Sequence, residues 1–134
     1  MHDKDRLDNQ QKAKELILYL ASKCEQDPAF GAVKLNKLMF YADFMAYLKF
    51  RRPITGQVYV AREFGPAPKE LLKLRQDLEK EGALAIIERN FLGYTQQRPI
   101  ALRAADLSVF SSEEVALIDR VIDLFQGFNA SQLS

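Results

Sequence analysis

The sequence predicts an α+β fold, mainly helical: about four helices around a buried central one, with a small three-stranded antiparallel sheet. Three observations lead there. Lys34 to Phe50 reads KLNKLMFYADFMAYLKF, with Asp43 the one charged residue between Leu38 and Leu48. A helix apolar around most of its circumference is packed on several sides. Helical periodicity recurs on either side of this stretch, and short Val-, Ile- and Tyr-bearing runs between turn residues read as strands. The order helix, helix, strand, helix, strand, strand, helix is winged-helix-like, with the last strand pair as the wing.

The first helix is predicted from about Asp8 to Cys24, burying Leu16, Ile17, Leu20 and Cys24. Asp27-Pro28 and Gly31 end it and lead into the central helix. In that helix Asn36, Phe40, Asp43 and Tyr47 share one stripe, opposite a core stripe of Leu35, Leu38, Ala42 and Met45. The basic run Lys49, Arg51 and Arg52 suits the negative end of the helix dipole, and Pro53 stops the helix. Ile54-Thr55-Gly56 reads as a turn and Gln57 to Arg62 as a strand. Phe64-Gly65-Pro66-Ala67-Pro68 reads as a rigid corner, with Pro68 in the first turn of a third helix. That helix buries Leu71, Leu74 and Leu78 and is capped at Gly82. Leu84 to Arg89 and Arg98 to Arg103 form a predicted hairpin with a fairly long tip containing Asn90, Gly93 and the two glutamines. The last helix starts at Ser111, where Ser111-x-x-Glu114 matches a capping box; Val115, Ile118, Val121, Ile122 and Phe125 form its stripe and Gly127 closes it.

The length, 134 residues, suits a single domain spanning 1–134, and 48% hydrophobic with 28% charged residues is enough to bury a core. Nineteen basic and 18 acidic side chains leave a net charge of +1, which argues against a dedicated nucleic-acid or membrane-surface binder. Cys24 is the only cysteine, so no intramolecular disulfide forms and a reducing compartment fits. The polar start MHDKDRLDNQQ lacks signal-peptide character, and the central apolar stretch is shorter than the about 20 residues a membrane span needs. A cytoplasmic protein is expected.

The residues offer little to catalysis. His2, the single histidine, lies in the polar terminus, and Cys24 falls on a core stripe without a histidine near it in sequence. No Cys/His cluster suggests a metal and no glycine-rich loop suggests a phosphate, so neither enzyme activity nor a cofactor is expected. Asp43 with Lys37 or Arg62 is the one carboxylate–cation pair worth following. For DNA, the third helix carries Lys69, Lys73, Gln76 and Lys80 on one stripe, but Glu70, Asp77, Glu79 and Glu81 offset their charge. Protein binding leaves a different trace, surface aromatics and arginines beyond core needs. Nine Phe and five Tyr are many for this length, and Phe30, Phe50, Tyr59, Phe64, Phe91, Tyr94 and Phe128 fall in predicted loops or element ends. Phe91 and Tyr94, with Arg89 and Arg98 beside them, make the cluster most suited to a contact surface.

Three blocks resemble a known family. Lys34-Leu35-Asn36-Lys37-Leu38 followed by Phe40-Tyr41-Ala42-Asp43 is similar to the "KLNKLLYFAD" signature of the Panacea domain. Pro53-Ile54-Thr55-Gly56 and Phe64-Gly65-Pro66-Ala67-Pro68-Lys69-Glu70-Leu71 resemble its "ITG" and "YGPVPKEL" segments. Phe64 departs from the usual Tyr, losing a hydroxyl but keeping a ring. The sequence ends at Ser131-Gln132-Leu133-Ser134, about where family members often continue through an "LSH" segment. The resemblance implies a non-enzymatic antitoxin, SocA-like or phage-associated, that neutralises a cognate protein toxin by direct binding. For some members it implies delivery of that toxin to a protease such as a Clp-type machine. A winged-helix-like DNA-binding or phage regulatory protein is the alternative. Within the motif Asn36, Tyr41, Asp43, Gly56, Gly65, Pro66 and Pro68 are expected to specify the fold. Asn36 and Asp43 would hold the Gly65 corner through backbone N–H groups or Arg62. Lys34, Lys37, Arg62 and Phe64 join Arg89, Phe91, Tyr94 and Arg98 as candidate partner contacts.

Overall fold

Why the chain folds around its second helix is visible in a computed structural model that describes residues 3–126 and 128. Expectations about His2, Gly127 and Ser131 to Ser134 lie outside these described residues. The elements run α1 (Asp3–Lys23), α2 (Ala32–Phe50), β1 (Tyr59–Arg62), β2 (Gly65–Pro68), α3 (Leu71–Lys80), β3 (Leu84–Phe91), β4 (Tyr94–Ala101), a 3-10 turn (Leu107–Val109) and α4 (Ser112–Leu124). Helix α1 begins five residues before the expected Asp8. Nothing between Asp3 and Asp8 breaks a helix, and apolar periodicity alone does not mark a polar first turn.

The core is helical. Leu16, Ile17 and Leu20 of α1 with Cys24 just after it, Leu35, Leu38, Met39, Ala42 and Ala46 of α2, and Leu117, Ile118, Val121 and Ile122 of α4 are buried together. Leu74 and Leu78 of α3 close it from the side. A fully buried Leu or Ile contributes roughly 1.5–3 kcal/mol over an exposed one, so these stripes carry most of the fold's stability. The capping box of α4 is formed as expected: the Ser111 hydroxyl accepts from the Glu114 N–H at 3.1 Å and the Glu114 carboxylate accepts from the Ser111 N–H at 2.9 Å. The Glu114 carboxylate also pairs with Lys12 of α1 at 3.0 Å.

The three-stranded sheet is corrected to two separate two-stranded antiparallel hairpins, β1–β2 and β3–β4. The stretch read as a corner is in fact β2, paired Tyr59 to Pro68 through Arg62 to Gly65, so Pro68 lies in a strand and not in α3. The Lys69 N–H donates to the Val58 carbonyl at 2.8 Å, which sets the pairing side on odd-numbered residues. Pro66 and Pro68 stand at even positions facing away, where a missing N–H costs nothing in the ladder. The β3–β4 tip is also shorter than expected. Phe91 pairs with Tyr94, Gln96 and Gln97 lie inside β4, and Leu92 and Gly93 alone make the turn. Both have positive φ, 52° and 83°, the backbone of a type I′ hairpin.

Arg98 explains how this hairpin is fastened to the helices. It is buried, and its guanidinium donates to the carbonyls of Asp27 at 2.7 Å, Phe30 at 3.0 Å, Cys24 at 3.2 Å and Glu25. Desolvation, with the nearby Arg89 charge, lowers its pKa against the partial support of Asp27. A planar fork matches several carbonyls at once, whereas an ammonium is a point donor. Arg98→Lys therefore leaves buried carbonyls unpaired and is expected to lower unfolding free energy by about 2–4 kcal/mol, read by urea denaturation.

Glu15 of α1 supplies a second fastening. Arg103 pairs with it in bidentate fashion at 2.8 and 2.9 Å, and the Asp106 N–H donates to it at 2.7 Å. Burial pushes this carboxyl up, but the hydrogen bonds from Arg103 and Asp106 and the Arg103 charge outweigh burial and hold it below its ordinary range. Since the folded value is depressed, the stabilisation is complete above the ordinary glutamate pKa of about 4.3 and is lost as pH falls through the lower folded value. Thermal midpoints measured from pH 7 to pH 3 should show this acid limb, and Glu15→Gln should flatten it.

Candidate partner-binding surface

Helix α2 presents the motif residues in two environments. Asp43 is buried, and three donors converge on it: the Thr55 N–H at 2.8 Å, the Thr55 hydroxyl at 2.6 Å and the Tyr59 hydroxyl at 2.6 Å. These three bonds compensate its desolvation without a metal or a reacting group. Burial raises the Tyr59 phenol pKa, and the Asp43 charge and hydrogen bond raise it further. The carboxylate thus ties the Ile54–Gly56 turn and the start of β1 to α2, rather than the Gly65 corner. Gly56 completes the turn with φ 64°, and a β-carbon there would meet the Asn9 side-chain amide at 2.5 Å. Gly65 has φ 117°, and its missing β-carbon lets β2 lie against the Lys37 stem, 3.3 Å from the Cβ position. Asn36 Oδ1 is buried with no hydrogen-bond partner.

The expected contact residues separate into interior and surface groups. Lys34 is buried, its ammonium 2.6 Å from Asp27 and also donating to the Phe128 carbonyl. Arg98, expected beside Phe91 and Tyr94, is equally interior. Both are corrected from contact residues to structural ones, because β-strand and helix direction turn them inward onto the α1–α2 loop. Lys37 is buried as well, and burial lowers its pKa. Arg62, Phe64, Arg89 and Tyr94 are exposed and Phe91 is half-buried. Phe64 stands at the β1–β2 turn, 62% exposed, and Leu92 and Tyr94 at the β3–β4 turn, 69% and 74% exposed. Tyr41 stacks on Phe125, which caps α4, at 4.8 Å between centroids and so joins α2 to the end of α4. On α3, Lys73, Gln76, Glu79 and Lys80 are exposed, as are Lys69 and Glu70 just before it and Glu81 just after it.

A further set of exposed residues was not anticipated. The sequence suggested that α2 is buried on most sides, yet Phe44, Tyr47 and Leu48 are exposed on its C-terminal half. Phe40 stacks on Phe44 with centroids 5.9 Å apart and meets Tyr59 edge-on at 5.4 Å. Positions 40, 44, 47 and 48 share one helix face, opposite Leu35, Leu38 and Ala42. The β1–β2 hairpin covers the N-terminal half of that outer face, over Lys37 and Phe40, and stops before Phe44. Helical spacing marks the face in the sequence, but apolar composition hides which half a hairpin covers.

These features define a class: a helix-centred α+β domain that displays apolar side chains at two hairpin turns and along one helix face, as protein-binding modules do. The family model described as antitoxin SocA-like, Panacea domain, matches residues 35–134, and the chain belongs to that family. A comparison with curated proteins finds no match. Among the described residues, no helix is long and apolar enough to cross a membrane.

If Asp43 is a structural anchor, Asp43→Ala strands the buried Thr55 N–H and should lower stability by about 3 kcal/mol in urea denaturation. Asp43→Asn keeps one acceptor and should cost less. The same loss from both substitutions would contradict the anchoring geometry.

Proposed function

We propose that this protein is a non-enzymatic antitoxin that neutralises a cognate protein toxin by direct binding. Family membership supports an antitoxin role, and the observation carrying the binding reading is the display of large apolar side chains on turns that the fold holds rigid. Phe64 projects from a turn pinned by Gly65 against α2, with Arg62 beside it. Leu92 and Tyr94 project from a hairpin fastened by Arg98, with Arg89 and Phe91 next to them. Aromatic and arginine side chains on a preorganised frame bind at low entropic cost. A proteolytic-adaptor route extends this reading: the complex would hand the toxin to a protease such as a Clp-type machine, in the cytoplasm of a bacterium or in a phage-encoded setting.

Co-expression with the product of the neighbouring gene tests the proposal. The expected result is rescue of growth and co-purification in a fixed ratio. Phe64→Ala and Tyr94→Ala, both exposed and so near-neutral for stability, should weaken the complex about tenfold or more in a titration if their turns make contact. A toxin that remains abundant during rescue would argue for sequestration, and one that disappears only in protease-positive cells for delivery.

A further inference from the structure

We infer that the open C-terminal half of α2, Phe44, Tyr47 and Leu48 with the cations Arg51 and Arg52 that follow, receives an acidic amphipathic segment of the partner protein. The inference rests on the antitoxin reading and deepens it by naming the surface and the chemistry of what binds there.

Apolar area comes first. Phe44, Tyr47 and Leu48 are 47%, 53% and 55% exposed, adjacent on one helix face and continuous with the half-buried Phe40. An exposed stripe at i, i+3 and i+4 spacing is the template onto which an amphipathic segment lays its own apolar face. Charge then selects the occupant. Arg51 and Arg52 are exposed where this helix ends, and the Arg51 N–H still bonds the Tyr47 carbonyl at 2.9 Å, which holds that residue's backbone against the Tyr47 turn. None of the ion pairs among the described residues uses either arginine. The only acidic residue of α2 is Asp43, which is buried and occupied by Thr55 and Tyr59. A partner carrying carboxylates beside its apolar stripe would pair with these cations, gaining register and association rate.

The same facts disfavour two other occupants. A second copy of the chain packed α2 against α2 would bring no exposed carboxylate on that helix to meet the cations. A nucleic acid would find two arginines on a chain of net charge +1, too little for phosphate-driven binding.

The test uses the full chain co-expressed with the neighbouring gene product, comparing wild type with Phe44→Asp/Leu48→Asp, Arg51→Glu/Arg52→Glu and the control Leu72→Asp. Leu72 is an equally exposed leucine on α3. Thermal midpoints of all variants establish that the fold is kept. Support is loss of rescue and of co-purification in the first variant. The charge reversal should weaken the complex at least tenfold and invert its salt dependence, added salt now raising affinity by screening the new repulsion, while Leu72→Asp behaves as wild type. If wild type forms the complex and the Phe44/Leu48 variant does so equally well, the surface assignment is overturned while the antitoxin reading stands. If wild type neither rescues nor co-purifies, both fall. Binding of a 20-nucleotide oligo-dT by wild type, lost in the same two variants, would overturn the protein-segment assignment in favour of single-stranded nucleic acid.

Discussion

Two buried cations, Lys34 of α2 and Arg98 of β4, converge on the loop between α1 and α2 and hold the surrounding elements to it. The segment between α1 and α2 turns back on itself at Asp27. The Asp27 carboxylate accepts from the Ala29 N–H at 2.9 Å and from Lys34 at 2.6 Å, and its carbonyl accepts from Arg98. Burying a charge is costly unless it is paired and hydrogen-bonded, and here each cation finds its partners only in the folded arrangement. Lys34 fixes the start of α2 against the loop and reaches the carbonyl of Phe128 after α4. Arg98 fixes the β3–β4 hairpin against the end of α1. Removing either leaves buried acceptors without donors, so the loop ties the helix pair, the hairpin and Phe128 together.

Helix α2 is enclosed unequally by what this loop organises. One side meets α1 and α4 through small and aliphatic residues, Ala42 and Ala46 among them, which permit close approach. Its outer side meets β2 through Lys37 and Gly65 and β1 through Phe40, Asp43 and Tyr59. The hairpin is only four residues a strand and leaves the last turns of the helix open. The apolar side chains on display are thus a consequence of strand length. They are held on a helix and on turns of fixed geometry, and a binding surface of this kind loses little freedom when occupied.

Several of these features could be read from the residues. The stripes of α1 and α4 follow helical periodicity, the Ser111–Glu114 box names its own helix start, and Gly56 and Gly65 mark left-handed backbone. The family blocks, from Lys34 to Leu71, identified the domain because they are short, ordered and specific. Other features lay beyond local reading. Pro66 and Pro68 spoke for a corner, since proline weakens strands in general, and only the pairing side shows why they are harmless here. Gln96 and Gln97 resembled loop residues because polar side chains are not a strand signal, whereas a left-handed Leu92 in the turn has no sequence signature.

Lys34 and Arg98 show the division most sharply. As charged residues they were assigned to the surface, and each is in the interior because its acceptors, backbone carbonyls and one carboxylate, come together only when distant segments meet. What the sequence by itself determined is the helical core, the caps, the glycine turns and the family, all encoded within a few residues of one another. What only the tertiary structure decided is which charges are buried, which strands pair and which half of α2 stays open. Those depend on contacts between segments dozens of residues apart, which no local pattern carries.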